Sequence, residues 1–223
     1  MTTRSPDERS RLLHRIAADI AALPSDRVRL TAVDGVDGAG KTHFADELAA
    51  ALARAGTLVI RASVDGFHHP PAVRHRRGRA SPEGFYRDSY DYGRLTRLLL
   101  DPLRNGAGEY VRRVYDVHAE RPIPVVVKQA PRAAVLVFDG IFAHRDELAG
   151  YWDYSVYLHV PFEVSIPRGA QRGYGDPDPG APSNARYVDG QWLYLAECDP
   201  ISRATVVIDN TVLDRPAVLG PGP

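Results

Sequence analysis

The sequence predicts an α/β domain in which a mostly parallel sheet is covered by helices on both faces. Three observations point to it. Five short apolar runs, at 28–33, 57–64, 133–138, 154–160 and 204–208, are mostly separated by helical stretches. Apolar strands that alternate with helices belong to a sheet buried on both faces. The first run enters a glycine-rich turn at 35–40, which opens directly into an alanine-rich helix at 41–55. The chain is 223 residues long and 44% apolar, enough to build the core of one compact domain with room for a small lid or insertion, so residues 1–223 are read as a single domain.

Each element has its own signal. Ser5, Pro6 and Glu8 make a helix start: a capping hydroxyl, proline in the first turn and a glutamate three residues after the serine. Leu12, Leu13, Ile16, Ile20 and Leu23 then recur at helical spacing, and Pro24 ends the run. Leu48 and Leu52 give the helix at 41–55 its apolar face, and Gly56 closes it. Residues 66–130 are different: rich in Arg, Tyr, Pro and Gly, with one good helix at about 92–103. In open parallel sheets ligands bind beyond the carboxyl ends of the strands, and this insertion follows such an end, so it is the expected substrate-binding region. The Pro/Gly/Asp loop at 174–183 reads as the edge of a lid spanning 161–183, and the tail at 216–223 as frayed.

Composition narrows the function. Twenty-eight basic residues balance twenty-eight acidic ones, so no broad footprint for nucleic acid is expected. Cys198 is the only cysteine, which excludes an internal disulfide and fits a reducing compartment. The segment MTTRSPDERS lacks the apolar core of a signal peptide, and no apolar run approaches the roughly 18 residues of a membrane span. The expectation is a cytoplasmic protein that acts on a small molecule, without nucleic-acid or membrane partners; self-association stays open.

Residues 35–42, GVDGAGKT, match G-x-x-x-x-G-K-[ST] in full, between a strand and a helix as that motif requires. Glycines let backbone N–H groups turn inward around phosphate oxygens, and the helix start adds its positive dipole end. The Lys41 ammonium would reach the β and γ phosphates, and the Thr42 hydroxyl would bind Mg²⁺. Gly35, Asp37, Gly38, Ala39, Gly40, Lys41, Thr42 and His43 are therefore the expected nucleotide-binding residues, with ATP and Mg²⁺ as their ligands. Two acids end strands. Asp139 follows one in VLVFDG and joins Thr42 as a metal-site acid. Asp65 follows another and is the better candidate for the base that takes a hydroxyl proton. His68, close behind Asp65, is a candidate pocket residue.

GVDGAGKT, SVDGFHHP, RDSYDYGRL, RRVYDVHAERP and VLVFDGIF occur in an order and spacing that resemble those of uridine kinases and their phosphoribulokinase-like relatives. The resemblance runs from about Arg27 to Asn210 and implies the three-layer P-loop kinase architecture. It implies Asp65 as catalytic base, Asp88 (with Asp91) holding ribose hydroxyls, and Tyr115, His118 and Arg121 in recognition of a nucleoside base. It implies lid arginines, here Arg168 and Arg172, that clamp phosphates.

The sequence also departs from that pattern. His118 stands only three residues after Tyr115. Pro167 interrupts the lid segment and removes a helical hydrogen bond. Arg74, Arg76, Arg77 and Arg79 form a cluster with no clear counterpart; it grips an anionic substrate, with Arg77 the named candidate, or is a solvated loop. The leading expectation is a kinase for a uridine- or cytidine-like nucleoside; the alternatives are a kinase for another, anionic acceptor such as a pantothenate-like acid, a sugar phosphate or a specialised metabolite, and a nucleotide-dependent regulatory protein, which the absence of an N-K-x-D motif disfavours. Tyr86, Tyr90 and Tyr92 either stack on a base or ring of the substrate or, as aromatics more often do, lie in the core; the stripe Tyr187, Trp192 and Leu195 is expected in the core, and Cys198 is expected to be inert.

Overall fold

The computed structural model describes residues 7–24, 26–106, 108–173 and 175–220. Ser5 and Pro6 of the expected cap, Tyr174 of the lid loop and the last three tail residues lie outside them. Helix α1 (Glu8–Ala22) is capped by Asp7, whose carboxylate accepts the Ser10 N–H, and ends at Leu23 just before Pro24. Strand β1 (Arg29–Gly35) runs through the loop's first glycine, and α2 (Lys41–Arg54) starts at the motif lysine. Its N-cap is Gly40 at φ 90°, a left-handed conformation that glycine adopts without strain. Strand β2 (Leu58–Ser63) follows, then a 3₁₀ turn (Val64–Phe67) that presents Asp65.

The insertion holds more helix than the sequence suggests. Besides the expected helix it contains α3 (Pro71–Arg74) and α4 (Pro82–Asp88), both started by proline. The expected helix is α5 (Tyr92–Leu95) and α6 (Asp101–Arg104) joined through a π turn (Thr96–Leu100). These short helices have one to two turns, too few for a periodic signal. Two ribbons complete the region, β3 (Glu109–Val111) against β6 (Val127–Gln129) and β4 (Tyr115–Asp116) against β5 (Arg121–Pro122).

The main sheet continues with β7 (Ala134–Asp139), a short α7 (Asp146–Ala149) and β8 (Tyr154–His159). Next come α8 (Phe162–Ala170), α9 (Ala185–Cys198), α10 (Pro200–Arg203), β9 (Val206–Asp209) and β10 (Ala217–Gly220). The strand order is β10-β9-β8-β1-β7-β2, with all neighbours parallel except β10 on β9. Pro167 sits inside α8 without ending it, at the cost of the one helical bond its nitrogen cannot give to the Glu163 carbonyl.

Alternate residues of β7 serve opposite faces. Val135 and Val137 join Ile16, Phe44, Leu48 and Ile166 under α1, α2 and α8. Leu136 and Phe138 join Phe67, Phe85, Leu99 and Tyr194 under the insertion and α9. A strand period of two thus builds the three-layer sandwich. Parallel pairing also aligns strand ends: Asp139 lies opposite Val33 of β1 and Ser63 of β2. The phosphate-type loop, Asp65 and Asp139 therefore meet at one edge. Among the described residues, no helix is long and apolar enough to cross a membrane.

Candidate active site

The loop between β1 and α2 is cradled by glycines at positive φ, 74° at Gly38 and 90° at Gly40. Gly38 is also forced by space, since a Cβ there would lie 1.9 Å from the Ser165 carbonyl oxygen of α8. Lys41 folds back and donates Nζ to the Val36 carbonyl at 2.9 Å. Thr42 Oγ1 donates to Asp139 Oδ2 at 2.7 Å. Two hard oxygen donors side by side, one hydroxyl and one carboxylate, match the chemistry of a Mg²⁺ site. Arg61 of β2 holds the other carboxylate oxygen, Oδ1, at 3.0 Å. Sequence reasoning missed Arg61; only the β2–β7 register brings it beside Asp139. His43 turns along α2 to Glu47, 3.4 Å away, with its side chain 63% exposed. That leaves its backbone, not its ring, near the loop.

Asp65 is exposed at the edge of the 3₁₀ turn. Tyr90, almost fully buried, directs its hydroxyl to Asp65 Oδ1 at 3.4 Å. Tyr90, expected in the core, packs its ring inward while its oxygen points at the carboxylate. Burial first, then the charges of Asp65 and Asp37, push its phenol well above the usual range, so it stays protonated and able to donate. His68 packs against Tyr90 with ring centroids 4.5 Å apart and the planes tilted by 53°. Its Nδ1 lies 3.0 Å from the Asp65 carbonyl; a carbonyl only accepts, so Nδ1 carries the proton and Nε2 is left as acceptor. Burial lowers the pKa of His68, and the nearby charges of Arg74 and His118 add to that, favouring the neutral ring.

Asp37 feels the charges of both the loop lysine and Asp65. Burial holds its carboxyl above the usual carboxylate range; Lys41 opposes the shift and Asp65 reinforces it. The folded chain therefore binds this proton more tightly than the unfolded one. Its effect on stability is harmless below the unfolded value of about 3.9 and grows unfavourable as pH rises from there to the folded value. Asp37→Asn should raise the melting temperature of the nucleotide-free protein at pH 7, with the gain disappearing below about pH 3.9. A thermal series across pH checks this, and no gain at pH 7 would refute it.

The other candidates are more dispersed. Asp88 is buried and takes both Arg76 and Arg77, the latter at 2.9 Å. Burial pushes its carboxyl up, but the two guanidinium groups outweigh this and hold it below the usual range. Arg74 pairs with Glu120 at 3.0 Å. Three of the four clustered arginines thus have defined polar partners, Arg79 presenting its backbone carbonyl to Arg186. Tyr115 is buried, and its hydroxyl has no partner among the described residues. Asp116 accepts the Ala119 and His118 N–H groups, which lower its pKa and fix a tight turn. That turn carries His118 and, just beyond, exposed Arg121. On α8, Arg168 donates to the carbonyls of Asn210 and Thr211, whereas Arg172 is exposed. Asn210, buried and absent from the expected set, donates Nδ2 to the Ala39 carbonyl at 2.8 Å and links the loop to the end of β9. Cys198 is buried beside the Tyr86 hydroxyl at 3.2 Å, and burial raises its thiol.

Comparisons with known proteins agree with this geometry. The family model described as "Phosphoribulokinase / Uridine kinase family" matches residues 30–175. No curated protein sequence matches the chain significantly. A structure titled a possible uridine kinase from Bacillus stearothermophilus superposes with a TM-score of 0.71 at 22% identity, covering 87% of this chain and 96% of that one. Phosphoribulokinase from Rhodobacter spheroides gives 0.59 at 13% identity, with 83% and 71% covered. D-glycerate 3-kinase from Cryptococcus neoformans gives 0.59 at 13% identity, with 95% and 96% covered. At such identities the structures speak for the fold. The family match spans well over half of the chain, and with the motif, the metal-type pair and the strand-end acid in one place, the chain belongs to the phosphoribulokinase/uridine kinase family of P-loop kinases, phosphotransferases with an alcohol group as acceptor.

Proposed function

We propose that this kinase transfers the γ-phosphoryl group of ATP to a hydroxyl of a small anionic molecule, with Asp65 as general base. The observation that supports a negatively charged acceptor is the state of Asp88. The carboxylate that would hold a nucleoside's ribose hydroxyls is instead engaged by Arg76 and Arg77. Arg74, ion-paired with Glu120, adds a third guanidinium to this segment. One structure of similar fold, a D-glycerate 3-kinase, acts on an acceptor of this kind.

Each residue then has a role. Lys41 neutralises charge on the β and γ phosphates, and the loop's backbone N–H groups hold them. Thr42 and Asp139 would hold Mg²⁺, which when bound offsets charge on the transferred group. Asp65 takes the acceptor's hydroxyl proton, and Tyr90 orients that carboxylate. Arg172 is the exposed lid arginine available to the transferring group, since Arg168 is committed to backbone carbonyls. Catalysis of this type is mostly positioning and electrostatics.

A second reading, a uridine- or cytidine-like nucleoside, is supported by the order of the five motif blocks and by Tyr115, whose buried hydroxyl lacks a partner among the described residues. ADP release with Mg·ATP across uridine, cytidine, pantothenate, glycerate and sugar phosphates separates the two. Stimulation by an anionic hydroxy compound about tenfold or more above either nucleoside is expected, since one well-placed charge-assisted contact contributes roughly that factor. Nucleoside-dependent turnover alone would overturn the anionic reading. No stimulation by any acceptor would favour a regulatory protein.

A further inference from the structure

Helix α9 was expected to bury Tyr187, Trp192 and Leu195. Instead Trp192 is 55% and Tyr187 41% exposed, and the buried face carries Gly190, Gln191, Tyr194 and Cys198. A glutamine at the centre of a buried face needs an explanation, because an unpaired buried amide is costly. Gln191 is 1% exposed, and both ends of its amide are engaged. Its Nε2 donates to the Tyr187 carbonyl one turn back at 3.0 Å, which settles the orientation of the amide. Its Oε1 accepts the N–H of Asp37 in the phosphate loop. Three residues on, Tyr194 donates its hydroxyl to Asp34, which also accepts the Gly35 N–H at 2.7 Å. One helix thus holds the loop at its entry and at its third residue.

The same helix grips the insertion. A Cβ on Gly190 would come within 2.8 Å of both the Phe85 ring and the Pro82 carbonyl, so α9 lies flush on α4. At its start, Arg186 donates to the Arg79 carbonyl and lies 3.2 Å from His75 Nδ1. Helix α4 ends at Asp88, and two residues on Tyr90 points its hydroxyl at Asp65. The acceptor side and the nucleotide side are therefore fastened to one rigid bar.

We propose that Gln191 is a positioning residue: acting through the Asp37 N–H, it sets the phosphate loop in the conformation that receives Mg·ATP and keeps it in register with the Asp65 side. The proposal rests on the kinase reading of the loop. Loop glycines at positive φ allow many conformations, and Gln191 removes that freedom by an interaction from outside the motif.

The test uses the full chain and two variants. Gln191→Met keeps the side-chain length without the acceptor; Gln191→Glu keeps an oxygen at the same reach. Three measurements are made: Mg·ATP affinity by calorimetry, amide exchange at Asp37 without nucleotide, and cooperative melting. For Gln191→Met, Mg·ATP should bind about tenfold more weakly, the order expected for one lost buried hydrogen bond. Asp37 exchange should quicken while melting stays cooperative, and Gln191→Glu should restore Asp37 protection. A Met variant that binds Mg·ATP as the parent does would overturn the proposal. Parent protein that fails to bind Mg·ATP would instead remove the kinase reading and the proposal with it.

Discussion

Lys41→Ala should lower kcat/KM for Mg·ATP by roughly 10²–10³-fold, the range seen when one preorganised electrostatic contact to the reacting group is removed. Lys41 is the loop's only cationic side chain, and its ammonium rests 2.9 Å from the Val36 carbonyl, ready to exchange that weak acceptor for phosphate oxygens. The loop amides would remain, so some nucleotide affinity should persist while turnover collapses. Truncation also removes the one cation that draws the Asp37 carboxyl back towards its ordinary range. Without it, burial and Asp65 should push the Asp37 carboxyl still further above the usual range. Calorimetry with Mg·ATP beside ADP-release kinetics separates binding from turnover. A fall of less than tenfold would mean that the backbone N–H groups and the metal pair carry the phosphates alone.

Asp65→Asn should lower kcat by about 10²–10⁴-fold and leave Mg·ATP affinity close to that of the parent, the expected range for loss of a general base. An amide has nearly the shape of the carboxylate and can still meet the Tyr90 hydroxyl, so the pocket should survive. What disappears is the site that takes the acceptor proton. Asp65 is exposed, at the end of the strand that pairs with β7, and it influences both Asp37 and Tyr90. These relations put it within the field of the phosphate loop. If the Asn variant retained more than a tenth of parental kcat, the acceptor proton would have to leave by another group, with His68 Nε2 the nearest neutral acceptor to examine.

Much of this molecule was legible in local signals. The five apolar runs became the five parallel strands, within one or two residues at their ends. The motif at 35–42 carried its own context, because a glycine-rich turn between strand and helix has few other uses. Asp65 and Asp139 were legible because parallel strands must end at one edge. Other features were hidden by their range. Arg61 reads as an ordinary strand arginine until β2 pairs with β7 and places it on Asp139. Arg76 and Arg77 read as a free cationic cluster until α4 folds Asp88 beneath them. Tyr90 was assigned to the core on aromatic preference, and its ring does pack there, but its hydroxyl faces Asp65.

By itself the sequence determined what depends on short-range pattern: the strand–loop–helix that cradles phosphates, the strand-end acids, and an α/β architecture with an insertion beyond one strand. Only the tertiary structure decided what depends on partners far along the chain. Gln191 lies 154 residues from the Asp37 N–H that it holds, and Tyr194 lies 160 from Asp34. Hydrophobic periodicity cannot mark such residues, because they are polar groups buried for a hydrogen bond, and the partner that makes their burial tolerable exists only once the chain has folded.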